Sequence, residues 1–210
     1  MGLLSKLFGS GEAPAKTSKQ RVVKSGDWEA NIDASGVPTW FHKRGKEWLD
    51  PFKTWSSPSG SFYLHNGHDG NGEECIALTS KTEGLRLKKT DEGIESAIVT
   101  DTGVAFALTE DGTLYTVTAE RASQKKLSDE QPEAHLLTPE VCAIAYDEDE
   151  SVIIKAVDLA TGKSWRKTAK YSWPENGDNG EISITATASG LSVTAPDGST
   201  HSFTTSGEPA

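Results

Sequence analysis

The stretch Val104–Val117, VAFALTEDGTLYTV, decides how this chain is to be read. Short alternating runs flank Glu110-Asp111-Gly112. A period of two sends successive side chains to opposite faces of an extended strand. An Asp-Gly pair between two such runs supplies the positive φ that a tight turn needs. The stretch is therefore a β-hairpin, and the same pattern occurs elsewhere. WEANIDASG (Trp28–Gly36) runs into VPTWFH, and CIALTSKTEG (Cys75–Gly84) runs into LRLK. CAIAYDEDE (Cys142–Glu150) runs into SVIIKAV, and ISITATASG (Ile182–Gly190) runs into LSVT. The hairpins start at 28, 75, 104, 142 and 182, at spacings of 47, 29, 38 and 40.

A further Gly turn often adds a third strand, as in KRGKEW (Lys43–Trp48), ATGKSW (Ala160–Trp165) and APDGSTHSF (Ala195–Phe203). Helical periodicity is scarce. Ala119–His135 reads as a long loop with at most one helical turn, and Leu49–Trp55 reads as irregular. The pattern predicts one all-β domain over residues 21–207, built from five repeated hairpin units. A small, about five-bladed β-propeller closes such units with protected edges. A β-sandwich or an up-and-down β-barrel is the alternative that uneven spacing favours.

VAFALTEDGTLY resembles the inner-strand hairpin of WD-type and related propeller blades, and SVIIKAVDLATGK (Ser151–Lys163) is similar to a blade's later strands. The resemblance is to a generic blade. The His and the Trp-Asp pair that mark WD40 repeats do not occur.

The bulk composition narrows the function. Of 210 residues, 35% are hydrophobic and 25% charged, and the net charge is −10. A general nucleic-acid binder displaces phosphate counterions with basic surface, so DNA and RNA are not expected partners. An acidic surface suits solubility and a cationic protein partner. Two isolated cysteines, Cys75 and Cys142, make neither a disulfide framework nor a CxxC site, and they point to a reducing, cytoplasmic setting. As first residues of apolar runs they are expected to be buried and inert.

The first nine residues, MGLLSKLFG, are apolar. As a helix they put Leu3, Leu4, Leu7 and Phe8 on one face. They are too short for a secretory core or a bilayer span, and Lys6 stands where a myristoylation motif needs Ser or Thr. Residues 10–20, SGEAPAKTSKQ, read as a flexible linker. Residues 1–9 are thus expected to be a docking peptide for a protein groove or a membrane surface, and the only segment that reaches a membrane.

Two clusters are candidate sites. HNGHDGNGEE (His65–Glu74) reads as a loop in which Asp69, Asn71 and Glu73 alternate as the first ligands of a calcium loop do. His65 and His68 add two zinc-type ligands, short of a full set. The competing reading is a Gly/Asn/Asp turn whose side chains bond their own backbone. No cofactor is expected beyond that calcium candidate. The second cluster is Trp28, Trp40, Trp48 and Trp55, near Phe41, His42 and Tyr63, which could line a ligand face or fill a core. No nucleophile elbow, metalloprotease helix, P-loop or dinucleotide fingerprint occurs. The leading expectation is a non-catalytic binding module for a protein partner, of the immunity-inhibitor or adaptor kind. A carbohydrate-binding or carbohydrate-active protein using the Trp cluster and a phage or virion structural component are the alternatives.

Overall fold

The computed structural model describes residues 21–90, 92–172 and 180–210, and every regular element among them is a β-strand. The predicted peptide and linker (residues 1–20) lie outside the described residues, as does Trp173. No helix among the described residues is long and apolar enough to cross a membrane.

A seven-stranded sheet holds, in order, β1 (Arg21–Ser25), β2 (Trp28–Ile32), β3 (Pro38–Lys43), β4 (Lys46–Ser56), β5 (Phe62–Asp69), β6 (Glu74–Ser80) and β7 (Gly84–Lys89). A second sheet holds β8 (Ile94–Val99), β9 (Ala105–Thr109), β10 (Thr113–Val117) and β11 (Ala122–Lys126). A third holds β12 (Ala134–Leu137), β13 (Val141–Asp147), β14 (Ser151–Asp158) and β15 (Ser164–Lys170). The last holds β16 (Ser183–Thr187), β17 (Gly190–Thr194) and β18 (Thr200–Thr204). All four are antiparallel meanders in which sequence neighbours pair.

The hairpin at Val104–Val117 is β9–β10, with Leu114 opposite Leu108 and Thr116 opposite Phe106. Gly112 turns the chain at φ 78°, where a side chain would strain the backbone. Its N–H donates to Thr109 O at 3.0 Å. The Asp111 carboxylate accepts the Thr109 hydroxyl at 2.5 Å and the Thr113 N–H at 3.1 Å. The turn residues thus satisfy their own backbone, as Asp in a turn does.

The sheets stack by burying both faces of their alternating strands. The seven-stranded sheet breaks register between Pro51 and Lys53 of β4. Proline cannot donate to the ladder there, so the sheet bulges and bends. The bend lays β2–β4 over β6, and Ala30, Ile32, Phe41 and Leu49 meet Cys75 and Ala77. On the other side of β5–β6, Leu64, Ile76 and Leu78 meet Ala105, Ala107, Tyr115 and Val117. Leu108 and Leu114 then meet Cys142, Ile144 and Val157. Ala143, Ala145, Val152 and Ile154 meet Ile184, Leu191, Val193 and Phe203. Each fully enclosed Leu or Ile contributes about 1.5–3 kcal/mol.

Four sheets therefore make five layers, each face to face with the next. β4, β8, β12 and β16 touch in succession along one side, and β7 meets β11 along the other. This radial order of meanders is that of a β-propeller, as the repeated hairpins predicted, with the outer face of the last sheet left open to solvent. A two-sheet sandwich or a single barrel has no place for the middle layers.

Two segments differ from expectation. Ala119–His135 is not one loop, because β11 lies inside it and β12 begins at its end. Ala122–Lys126, ASQKK, is a polar edge strand with no apolar alternation to announce it. Leu49–Trp55 belongs to β4, whose pattern Pro51 and the bulge disguise. At the other end of the chain, Trp165 Nε1 donates to Thr205 O at 2.7 Å and ties the last segment back to the fourth layer.

Candidate functional site

The structure separates the predicted metal ligands. His65, His68 and Asp69 are not in a loop but in β5, and only the turn after Asp69 is irregular. His65 is fully buried, and both ring nitrogens are taken: Nδ1 by Thr54 Oγ1 and Nε2 by Thr79 Oγ1, each at 2.9 Å. Burial without a nearby carboxylate pushes its pKa from 6.5 down to about 3. Asp69 Oδ1 accepts the N–H groups of Asn71 at 2.8 Å and Glu73 at 3.1 Å, so it closes its own turn. Glu73 pairs with Lys89. Among the described residues no three His, Cys, Asp or Glu side chains gather to hold a metal. The pleat thus turns His68 to the opposite face from His65 and Asp69, while Asn71 and Glu73 stay in the turn that Asp69 closes.

The tryptophans are dispersed too. Trp28 and Trp48 meet edge to face at 5.0 Å, inside the bend of the first sheet. They close over Gly84, where a Cβ would lie 2.4 Å from Trp48 Cη2. Trp55 packs with Leu64 and Phe62 against the second sheet, under the Lys53 ammonium at 4.9 Å. Trp40 lies on the opposite face of the bent sheet from Trp28 and Trp48. The four do not line one concavity. Trp48 alone borders a cleft of about 640 Å³, with Leu87, Glu47, Lys46, Asp69 and Asn71.

The convex face of the bend gathers what remains. Register sets Val22 opposite Asn31, Asn31 opposite Trp40, Asp50 opposite His68 and His68 opposite Glu74. Phe41 opposite Leu49 brings Trp40 beside Asp50. One transverse row therefore runs from β1 to β6. Beside it Glu29, His42 and Glu47 form a second row. The Trp40 and His42 rings lie 3.6 Å apart. Phe52, the extra residue of the β4 bulge, is 60% exposed, with its ring 5.4 Å from that of His68. Asn66 Nδ2 holds Glu74 Oε1 at 3.0 Å. Lys24 neutralises Glu29 at 2.7 Å, whereas Glu47, Asp50 and Glu74 have no cationic partner within 4.0 Å among the described residues.

The sequence pointed to Trp40 as part of a Trp ligand face and to His68 as a metal ligand, and it did not mark Phe52, Asp50 or Glu74 as site residues. The available signal was Asp50-Pro51-Phe52 inside a strand-rich region, since a proline in a paired strand marks a bulge that re-aims its neighbour.

Neither thiol offers a nucleophile. Cys75 and Cys142 are fully buried. Burial, with Asp69 and Glu74 adding to it at Cys75, pushes both up to about 12.

No family model and no curated protein sequence matches the chain. Among solved structures the chain is similar to BBS1N in complex with ARL6DN, at 12% identity and TM-score 0.43, over 88% of this chain and 60% of that one. It is similar to BamB from Moraxella catarrhalis at 11% identity and TM-score 0.43, over 89% and 56%. It is also similar to the periplasmic gluconolactonase PpgL of Pseudomonas aeruginosa at 16% and 0.39, over 87% and 64%. The chain spans less than two thirds of the length of each.

Proposed function

We propose that the protein is a non-catalytic interaction module that docks a basic protein surface on the convex face of its first sheet. The observation that carries this reading is Phe52, 60% exposed in the β4 bulge, with its ring 5.4 Å from that of His68 on a face that carries Asp50 and Glu74. Exposed aromatics ringed by polar groups are the usual anchors of protein interfaces. Ring faces and carboxylates both attract ammonium and guanidinium groups. A net charge of −10 steers such partners inward at low salt. Residues 1–20, with Leu3, Leu4, Leu7 and Phe8, would tether this body to a second protein or a membrane surface, as an adaptor is tethered.

The test is binding to an immobilised Arg/Lys-rich peptide beside a neutral peptide of equal length. Phe52→Ala and Trp40→Ala should each weaken binding about 30-fold, the size of a hot-spot loss of ~2 kcal/mol. Equal binding of the two peptides by the parent protein, or parent-like binding by both variants, removes the reading.

The cleft beside Trp48 favours a second reading, carbohydrate binding. An indole stacks on a sugar ring while Asp69, Asn71 and Glu47 offer hydrogen bonds. Quenching of tryptophan fluorescence by a sugar panel, lost in Trp48→Leu, would support it.

A further inference from the structure

We infer that the gap between the third and fourth layers is a binding site for a small organic phosphate. The gap is a cleft of about 280 Å³ between β11 and β15, lined by Lys125, Lys126, Lys155 and Arg166 beside Leu127 and Ser164. Four cations and no carboxylate line it, in a chain whose net charge is −10.

The cations are not all spoken for. Arg166 reaches Glu148 at 3.1 Å, and Lys126 lies 3.8 Å from Asp129 and 4.0 Å from Asp111. Lys125 and Lys155 have no acidic partner within 4.0 Å among the described residues. Lys125 donates to the Ser164 hydroxyl. Lys155 donates to Ser128 Oγ at 3.2 Å and lies 5.3 Å from the centre of the Tyr146 ring. Ser128 itself is buried, so that hydroxyl is a fixed partner.

A second observation is independent of the cleft. In the β14–β15 ladder Lys155 stands directly opposite Arg166. Like charges at directly opposed positions destabilise a sheet, and an anion between them reverses the sign of that interaction. The arrangement thus carries a repulsion that a bound oxyanion relieves.

The chemistry narrows the anion. Two lysines and an arginine lining one cleft suit a phosphoryl group, which accepts several charged donors at once. Leu127 and the methylene stems of the lysines offer apolar surface to the body that carries it. The volume sits at the small end of small-molecule sites. A long polyanion would have to lie along an acidic molecule, whereas a small phosphate feels that field only within a Debye length of about 8 Å. The site has the opposite charge preference from the convex face, so the two are tested separately.

The experiment uses the full chain and three probes: phenyl phosphate, inorganic phosphate and an Asp/Glu-rich peptide, read by calorimetry and tryptophan fluorescence. Phenyl phosphate should bind at least fivefold more tightly than inorganic phosphate. Lys155→Gln and Lys125→Gln should each weaken it at least tenfold. Without ligand, Lys155→Gln should melt no lower than the parent, because the opposed charge is gone, and Lys125→Gln serves should that variant fail to fold. Absence of phenyl phosphate binding, parent-like affinity in a folded variant, equal affinity for inorganic phosphate, or tighter binding of the acidic peptide would each overturn the inference.

Discussion

His65 should make the fold acid-sensitive well above the range in which carboxylates titrate. Its imidazole is enclosed between β4 and β6, stacked on Tyr63 at 6.1 Å and edge-on to Phe41 at 5.4 Å. A neutral imidazole offers one donor and one acceptor, and the Thr54 and Thr79 hydroxyls complement either tautomer. A proton would add a charge to this enclosure with no carboxylate bonded to the ring. The folded pKa is about 3, against an ordinary 6.5 in the open chain. The unfolded chain therefore takes up a proton as pH falls through 6.5, and the folded chain does so only near 3. Because the unfolded state then holds more protons, stability falls with falling pH across that window. At pH 5 the loss is about 2 kcal/mol, from 1.5 pH intervals at 1.36 kcal/mol each.

Urea denaturation at pH 7, 6 and 5 measures this against His65→Gln, which keeps a donor and an acceptor but cannot titrate. Subtracting the two curves removes every other ionisable group. The parent's advantage over the variant should shrink by ~2 kcal/mol between pH 7 and pH 5. A pH-independent difference would refute the reasoning, as would an imidazolium signal from His65 in the folded protein above pH 5.

Three further outcomes are expected. Gly162→Ala, at φ 70° with no atom within 4 Å of the new Cβ, should cost about 1 kcal/mol of backbone strain in a urea melt. Gly112→Ala, at φ 78° with Pro132 Cγ at 3.0 Å and Ile144 Cδ1 at 3.2 Å, should cost roughly 1 kcal/mol more, and equal midpoints would refute the crowding. Native Cys75 and Cys142 should resist a thiol reagent at pH 8 and react only on unfolding, in keeping with thiols pushed to about 12. Removing residues 1–20 should leave the melting temperature unchanged, and a fall of more than ~4 °C, about 1 kcal/mol at this size, would mean that they pack on the domain.

The hairpins were legible because each buried strand pair repeats the same alternation and the same Gly turn. The five starts at 28, 75, 104, 142 and 182 fall in five different layers. Their uneven spacing comes from which pair carried the signal. At 75 it is the third and fourth strands of a meander, β6–β7, and at 104 the second and third, β9–β10. Edge strands such as β11 were not legible, since a strand that is polar along its length and exposed to water has no apolar pattern to show. Nor were the sites. Trp28, Trp40 and Trp48 are close in sequence, but bulges at Asn31/Ile32 and Phe41/His42 reset the count, so Trp28 and Trp48 share a face and Trp40 lies on the other.

The two ends of the stack differ in a way that bears on docking. The outward face of the last sheet is Ser183, Thr185 and Thr187 on β16, Ser192 and Thr194 on β17, and Thr200, Ser202 and Thr204 on β18. It carries no charge and no aromatic ring, and each of these residues is at least partly exposed. Short hydroxyl side chains bond to water or to each other, as Ser202 does to Ser192 at 3.3 Å, and offer a partner little apolar area. Such a face ends a stack of layers much as a polar cap ends a repeat array. The convex face at the other end has a fully formed apolar layer beneath it and could have been finished in the same way. Instead it exposes Phe52 and His68 and leaves Trp40 and His42 half-buried, all among carboxylates. Leaving an aromatic ring in water costs the fold burial energy, and the chain avoids that cost on the last sheet while accepting it on the first. That asymmetry is what a binding face on the first sheet predicts, and what a surface shaped only by solubility does not.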